Sequence, residues 1–174
     1  MYIHYGHGGI YHREKFKPIK NINYQDVSKI KDGHTTKPKF RTGLWASDIE
    51  SPLNWRALCY AFKLDGLKAI KNKDYFLFDF LPNANVIHIT CPDDFNKVPH
   101  LKNVREGEIN ILFEEALKQG IDAIELHLES KYQEQLEQYL YGWDCSCIIV
   151  LNPYSIEQVC CRVNNDKICG YDVF

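Results

Sequence analysis

The sequence predicts an α+β fold, and three observations carry that expectation. About seven or eight short strand-like stretches are present, about three stretches place apolar residues at helical spacing, and the two kinds follow one another irregularly. A doubly wound sheet would show regular alternation instead. At 174 residues the chain is most simply a single domain, 1–174, with enough length for a sizeable core.

Residues 1–5, rich in Tyr and Ile, read as a short opening strand. Residues 6–40 form a long basic loop region with little periodicity, punctuated by Gly8-Gly9, Pro18, Gly33 and Pro38. A connection that long within a compact domain points to a binding loop or lid. Residues 44–47 are the next strand. Ser51-Pro52 then opens a helix by the serine N-cap and N1-proline rule, with Trp55, Leu58, Cys59 and Phe62 on one stripe. Residues 75–81 and 86–91 are strands separated by the turn-type stretch Pro82-Asn83-Ala84-Asn85. A helix is expected over 108–118, with Ile109, Leu112, Phe113 and Leu117 on its apolar stripe and Gly120 as its stop. Residues 121–128 form a strand and 132–141 a short polar helix. The continuous apolar run 147–151 is expected to be a central strand. Residues 159–163 and 167–173 make a closing hairpin that turns at Asn164-Asn165-Asp166.

The net charge of −2 argues against a dominant surface for nucleic acid or anionic membrane. The amino-terminal forty residues are nonetheless basic, through Arg13, Lys15, Lys17, Lys20, Lys29, Lys31, Lys37, Lys39 and Arg41. These read either as a solvated loop or as a local patch. No apolar run is long enough to span a bilayer, and the amino terminus lacks the basic and apolar regions of a signal peptide. Seven cysteines, an odd number set in apolar segments, suit reduced thiols and a cytoplasmic location better than a disulfide framework. Cys145 and Cys147 are one residue apart and Cys160 and Cys161 adjacent, so neither pair has the spacing of zinc ligands, and no metal ligand set is assigned.

Three short segments carry candidate chemistry. His4 shares a strand face with Tyr2 and Gly6 by alternation, where an imidazole suits a ribose hydroxyl; a core histidine is the plainer reading. Trp45 and Ser47 share a face of the next strand. An aromatic and a hydroxyl so placed suit a flat, amide-bearing ring such as nicotinamide, or else a core aromatic beside a helix-capping serine. Asp144 is the only carboxylate near the apolar closing run, where it would stabilise positive charge at an anomeric carbon or simply sit in a turn. The glycine motifs of phosphate loops and dinucleotide folds are absent.

Taken together, these segments resemble the ADP-ribosyltransferase superfamily, in the branch of poly(ADP-ribose) polymerases and diphtheria-like toxins. Ile3-His4-Tyr5-Gly6 is similar to the family's His-Gly-Thr strand. Gly43-Leu44-Trp45-Ala46-Ser47 with Ser51-Pro52-Leu53-Asn54-Trp55 resembles its second block, and Ile149-Val150-Leu151-Asn152-Pro153 with Ile156 its third. The resemblance implies a split antiparallel β-sheet core with a few flanking helices and NAD as co-substrate. The activity it implies is mono-ADP-ribosyl transfer to a macromolecular acceptor, protein or nucleic acid, in a toxin-like or phage-borne setting. His4 would contact the adenosine-side ribose and Trp45 would stack on nicotinamide. Ser47 or the Gly6 backbone would hold the carboxamide, with Tyr5, Gly43 and Trp55 completing the cofactor site. By register the family's catalytic glutamate falls on Cys147, a poor substitute for a carboxylate, which leaves Asp144 as the acid nearest that position. A second reading is the same fold with reduced catalysis, binding NAD, ADP-ribose or a nucleic-acid end. A third is an unrelated α+β domain in which Trp45 and Trp55 are core. RNA 2'-phosphotransferases share the fold, but their arginine and histidine pattern is not evident here.

Overall fold

In the computed structural model the described residues are 1–5, 11–17, 19–20, 43–64, 70–71, 75–102, 109–140, 143, 145–160, 167–168 and 171–172. Gly6, His7, Asp144, most of the basic region and the Asn164-Asn165-Asp166 turn lie outside them. The strands are β1 (Tyr2–Tyr5), β2 (Leu44–Asp48), β3 (Tyr75–Phe80), β4 (Val86–Ile89), β5 (His100–Lys102), β6 (Ile109–Ile111), β7 (Ala123–Leu126), β8 (Cys147–Val150), β9 (Ile156–Cys160), β10 (Lys167–Ile168) and β11 (Tyr171–Asp172). The α-helices are α1 (Trp55–Phe62), α2 (Phe113–Lys118) and α3 (Gln133–Tyr139). This is a mixed α+β architecture. No helix among the described residues is long and apolar enough to cross a membrane.

Seven strands form one sheet in the order β4-β7-β8-β2-β1-β3-β9. Every pair is antiparallel except β4 with β7. The apolar run 147–150 is central, as its lack of alternation predicts: all four residues are buried, between β7 and β2. Alternation assigns the remaining side chains to two faces. One face carries Ile89, Ile124, Leu126, Cys147, Ile149 and half-buried Trp45, and is covered by Phe113 and Ala116 of α2 and Leu136 of α3. The other carries Ala46, Phe76, Phe78, Ala123, Ile148 and Val150, against which Tyr11 and Phe16 pack.

Three expectations need correction. Helix α1 begins at Trp55, not at Ser51-Pro52: its cap is Asn54, whose side-chain oxygen accepts the Ala57 N–H at 3.0 Å. Ser51 instead holds the preceding turn, its hydroxyl oxygen accepting the Leu53 N–H at 3.2 Å. The expected helix over 108–118 divides: Ile109 to Ile111 pair with His100 to Lys102 as a two-stranded ribbon, and only Phe113–Lys118 is helical. Ile109 and Ile111 are β-branched and buried, which suits a strand, and Gly120 at φ +78° does end the helical turn. Strands β3 and β4, on either side of the Pro82 turn, lie far apart in the sheet. Finally, β9 pairs with β3, while the short β10 and β11 pair with each other, so the closing hairpin is a separate, smaller element.

The 3-10 turn at Pro92–Lys97 rests on Asp94. Its Oδ2 accepts from Thr90 N at 2.8 Å, Thr90 Oγ1 at 2.9 Å and Cys91 N at 3.1 Å, and Oδ1 accepts from Lys97 Nζ at 2.7 Å. Burial alone would raise this carboxyl, but Lys97 and the Thr90 and Cys91 donors outweigh it and hold Asp94 well below the usual carboxylate range. A depressed folded value means that its stabilisation is complete above the unfolded value, about pH 4, and is lost as pH falls further toward the folded one. Asp94→Asn is expected to lower stability by about 2 kcal/mol at neutral pH, because charge-assisted bonds are replaced by weaker ones. It should also flatten the acid limb of a stability profile measured by urea unfolding between about pH 2 and pH 5.

Candidate functional site

The strands that carry the three sequence blocks are neighbours, in the order β8-β2-β1. The pairings Tyr2 with Asp48 and Ile3 with Ser47 join β1 to β2, and Trp45 with Ile149 and Ala46 with Ile148 join β2 to β8. Segments more than 100 residues apart in the chain therefore meet in one stretch of sheet.

The side chains divide between the two faces. Trp45 lies on the helix-covered face, edge-on to Trp143 with ring centroids 5.0 Å apart. Trp55, at the start of α1, packs against the same core. Ser47 shares that face, is buried, and accepts the Trp55 N–H on its Oγ at 3.0 Å. Its hydroxyl thus ties the helix start to β2, which is the capping role that the sequence also allows for this serine. His4 projects the other way: its ring lies 5.1 Å from that of Phe76, and its Nδ1 forms a hydrogen bond with the Trp45 carbonyl at 2.5 Å. A carbonyl only accepts, so Nδ1 carries the proton. Tyr5 stands edge-on to Tyr75 at 5.9 Å, and burial, partly offset by Arg56, pushes its phenol up to about 12. Gly43 takes φ +88°, and a Cβ there would stand 2.6 Å from Ile149 Cδ1. Its close approach is to the core. Cys145 and Cys147 are buried. Burial, with Cys145 adding to it, pushes the Cys59 thiol up to about 11, as befits an inert core cysteine.

A second group of chemistry-bearing residues occupies the face opposite Trp45. Glu125 of β7, the strand next to the β4 edge of the sheet, is buried, opposite His88 of β4 in the parallel register. Its Oε2 lies 2.8 Å from His88 Nδ1 and 3.2 Å from His127 Nε2, and accepts from Tyr2 OH at 3.0 Å. The two ring nitrogens are 3.3 Å apart. Burial would raise the Glu125 carboxyl, but the hydrogen bond and charge of His127 prevail and it is lowered; in return Glu125 raises His127. Burial first, then the Glu125 charge, push the Tyr2 phenol far above its usual value. Beside this group Ser146 Oγ accepts the Leu128 N–H at 2.8 Å, and the Ser51 hydroxyl donates to Glu129. Sequence reasoning missed the group. Its one signal was an ionisable pair, Glu125 and His127, alternating with Ile124, Leu126 and Leu128 inside an apolar strand.

No protein-family model matches the chain, no curated protein matches it, and no solved structure matches its fold.

Proposed function

We propose that the chain is an ADP-ribosyltransferase-like protein that binds NAD and cleaves the bond between nicotinamide and ribose. The observation that carries this reading is the adjacency of β8, β2 and β1, which joins in one sheet the three segments on which the resemblance rests. In the proposed step nicotinamide leaves with the bonding electrons. The ribose C1 passes through an oxocarbenium-like state, and an acceptor nucleophile forms the new bond to C1 while losing its proton to solvent. Asp144, between buried Trp143 and Cys145 in the chain, would oppose the positive charge that develops at C1. Trp45 would offer its ring to the departing nicotinamide.

Two observations favour the second reading, a module of the same fold that binds NAD or ADP-ribose without turnover. His4 and Trp45 project from opposite faces, and Cys147 holds the position where the resemblance puts a glutamate. Nicotinamide release from NAD, measured with and without cell extract as a source of acceptor, separates the two. The transferase reading expects release, and Asp144→Asn should reduce it by at least about a hundredfold, the scale of losing an electrostatic stabiliser. Saturable NAD binding without release supports the module. A chain that binds no NAD refutes both.

A further inference from the structure

The His88, Glu125 and His127 group is well placed to ligate a cation. We propose that His88 Nδ1, His127 Nε2 and Glu125 Oε2 bind one divalent transition-metal ion of the zinc class, leaving further coordination positions open to solvent.

Spacing is the first argument. An ion about 2.1 Å from each of three ligand atoms holds them roughly 3.0 Å apart at right angles and roughly 3.4 Å apart at tetrahedral angles. The three separations here are 2.8, 3.2 and 3.3 Å. The spacing needed for coordination is already present, without movement of the strands.

The second argument is the chemistry of the donors. Two imidazole nitrogens and one carboxylate oxygen make the borderline set that zinc and its neighbours prefer, whereas calcium and magnesium favour all-oxygen sites. A hydrogen-bonded network explains the same atoms less well. Oε2 faces three groups at once, Tyr2 OH, His88 Nδ1 and His127 Nε2. If both imidazoles donate to it, their two hydrogens crowd one another across the 3.3 Å between the nitrogens. A cation on the two lone pairs removes that conflict and leaves Tyr2 as the donor that orients the carboxylate, the usual arrangement around a metal-bound acid.

Position is the third argument. Register fixes His88 opposite Glu125 on paired strands, and His127, one residue past the end of β7, is held by its N–H donating to the Ile89 carbonyl at 3.0 Å. The Glu125 side chain is 5 % exposed, and a buried carboxylate needs a positive partner. The histidine side chains are 54 % and 34 % exposed, which gives an ion an entry path and room for water or a substrate oxygen. Among the described residues this is the one group of three or more His, Cys, Asp or Glu side chains with ligand atoms close enough to share an ion.

The test uses the full chain stripped of metal and titrated with Co(II), then with Zn(II) against a chromophoric chelator. The expected result is one equivalent bound, visible d–d absorption free of any sulfur charge-transfer band, and a rise in melting temperature with Zn(II). His88→Ala, at an exposed position that folding should tolerate, is expected to weaken binding by more than the about 10–100-fold typical of losing an outer hydrogen-bond partner; Tyr2→Phe should fall within that range. A thermal melt in chelator checks that each variant is folded. The proposal is overturned if the native chain binds no Zn(II), if His88→Ala binds as the native chain does, or if a thiolate-to-cobalt band assigns the ion to cysteines. None of these readouts involves NAD, so this proposal and the transferase reading stand or fall separately.

Discussion

Phe78→Ala is expected to lower the unfolding free energy by about 3–5 kcal/mol, the range for removing a fully buried aromatic. Phe78 has no exposed surface, and it stands on β3 between β1 and β9. Its ring stacks on Tyr2 at 5.6 Å and meets Phe80 at 5.8 Å and Phe76 at 6.0 Å. The cavity would therefore open under three aromatic neighbours at once. A loss of that size is a large part of the roughly 5–15 kcal/mol that holds an ordinary domain together. Urea unfolding checks it, with a shifted midpoint and an unchanged slope showing that stability alone has changed. Phe78→Leu fills much of the space and should cost about half as much. A loss under about 1 kcal/mol in the alanine variant would mean that this aromatic layer does not form as described.

Local sequence pattern made the strands legible, and the pairing of the strands was not. The runs at 44–48, 75–80 and 147–150 announce themselves through apolar content, aromatic in the first two and β-branched in the third, and burial then follows. The segment 109–118 misleads because Ile109, Phe113 and Leu117 fall at helical spacing by chance. The ribbon with His100 to Lys102 that claims Ile109 to Ile111 is a tertiary fact outside any local window. The same limit hid the order β4-β7-β8-β2-β1-β3-β9, in which strands adjacent in the chain, such as β3 and β4, end in different parts of the sheet. Helix α1 shows a finer limit. Ser51-Pro52 carries a sound start signal, yet Asn54 three residues later also caps well and supplies the bond to Ala57.

The candidate site divides along the same line. That Trp45 and Ser47 share a face follows from alternation and needs no partner strand. That His4 faces the opposite way depends on its register with β2 and β3, where Ile3 pairs with Ser47 and His4 with Phe76. His88 and Glu125 are 37 residues apart in the chain and become neighbours only through the parallel pairing of β4 and β7. Glu125 and His127 in an apolar strand could have been flagged from sequence, but not His88 as their partner.

Gly43→Ala should destabilise the fold by about 2–5 kcal/mol, and it separates two accounts of this glycine. In the resemblance Gly43 belongs to the cofactor site. In the fold it opens β2 at φ +88°, where an L side chain costs roughly 1–2 kcal/mol. The added Cβ would also lie 2.6 Å from Ile149 Cδ1 and 3.1 Å from Ile19 Cβ. Forcing a methyl group into such a contact costs about a further 1–3 kcal/mol. Ile149 is fully buried beside Trp45 in the β2–β8 register, so it has little room to retreat. If backbone packing is the whole role of Gly43, the alanine chain that remains folded at low temperature should bind NAD as the native chain does, once the unfolded fraction is subtracted. If Gly43 also approaches the cofactor, binding should weaken beyond that correction. Titration with NAD at several urea concentrations below the unfolding midpoint gives both quantities from one sample. A variant as stable as the native chain would contradict the backbone geometry itself.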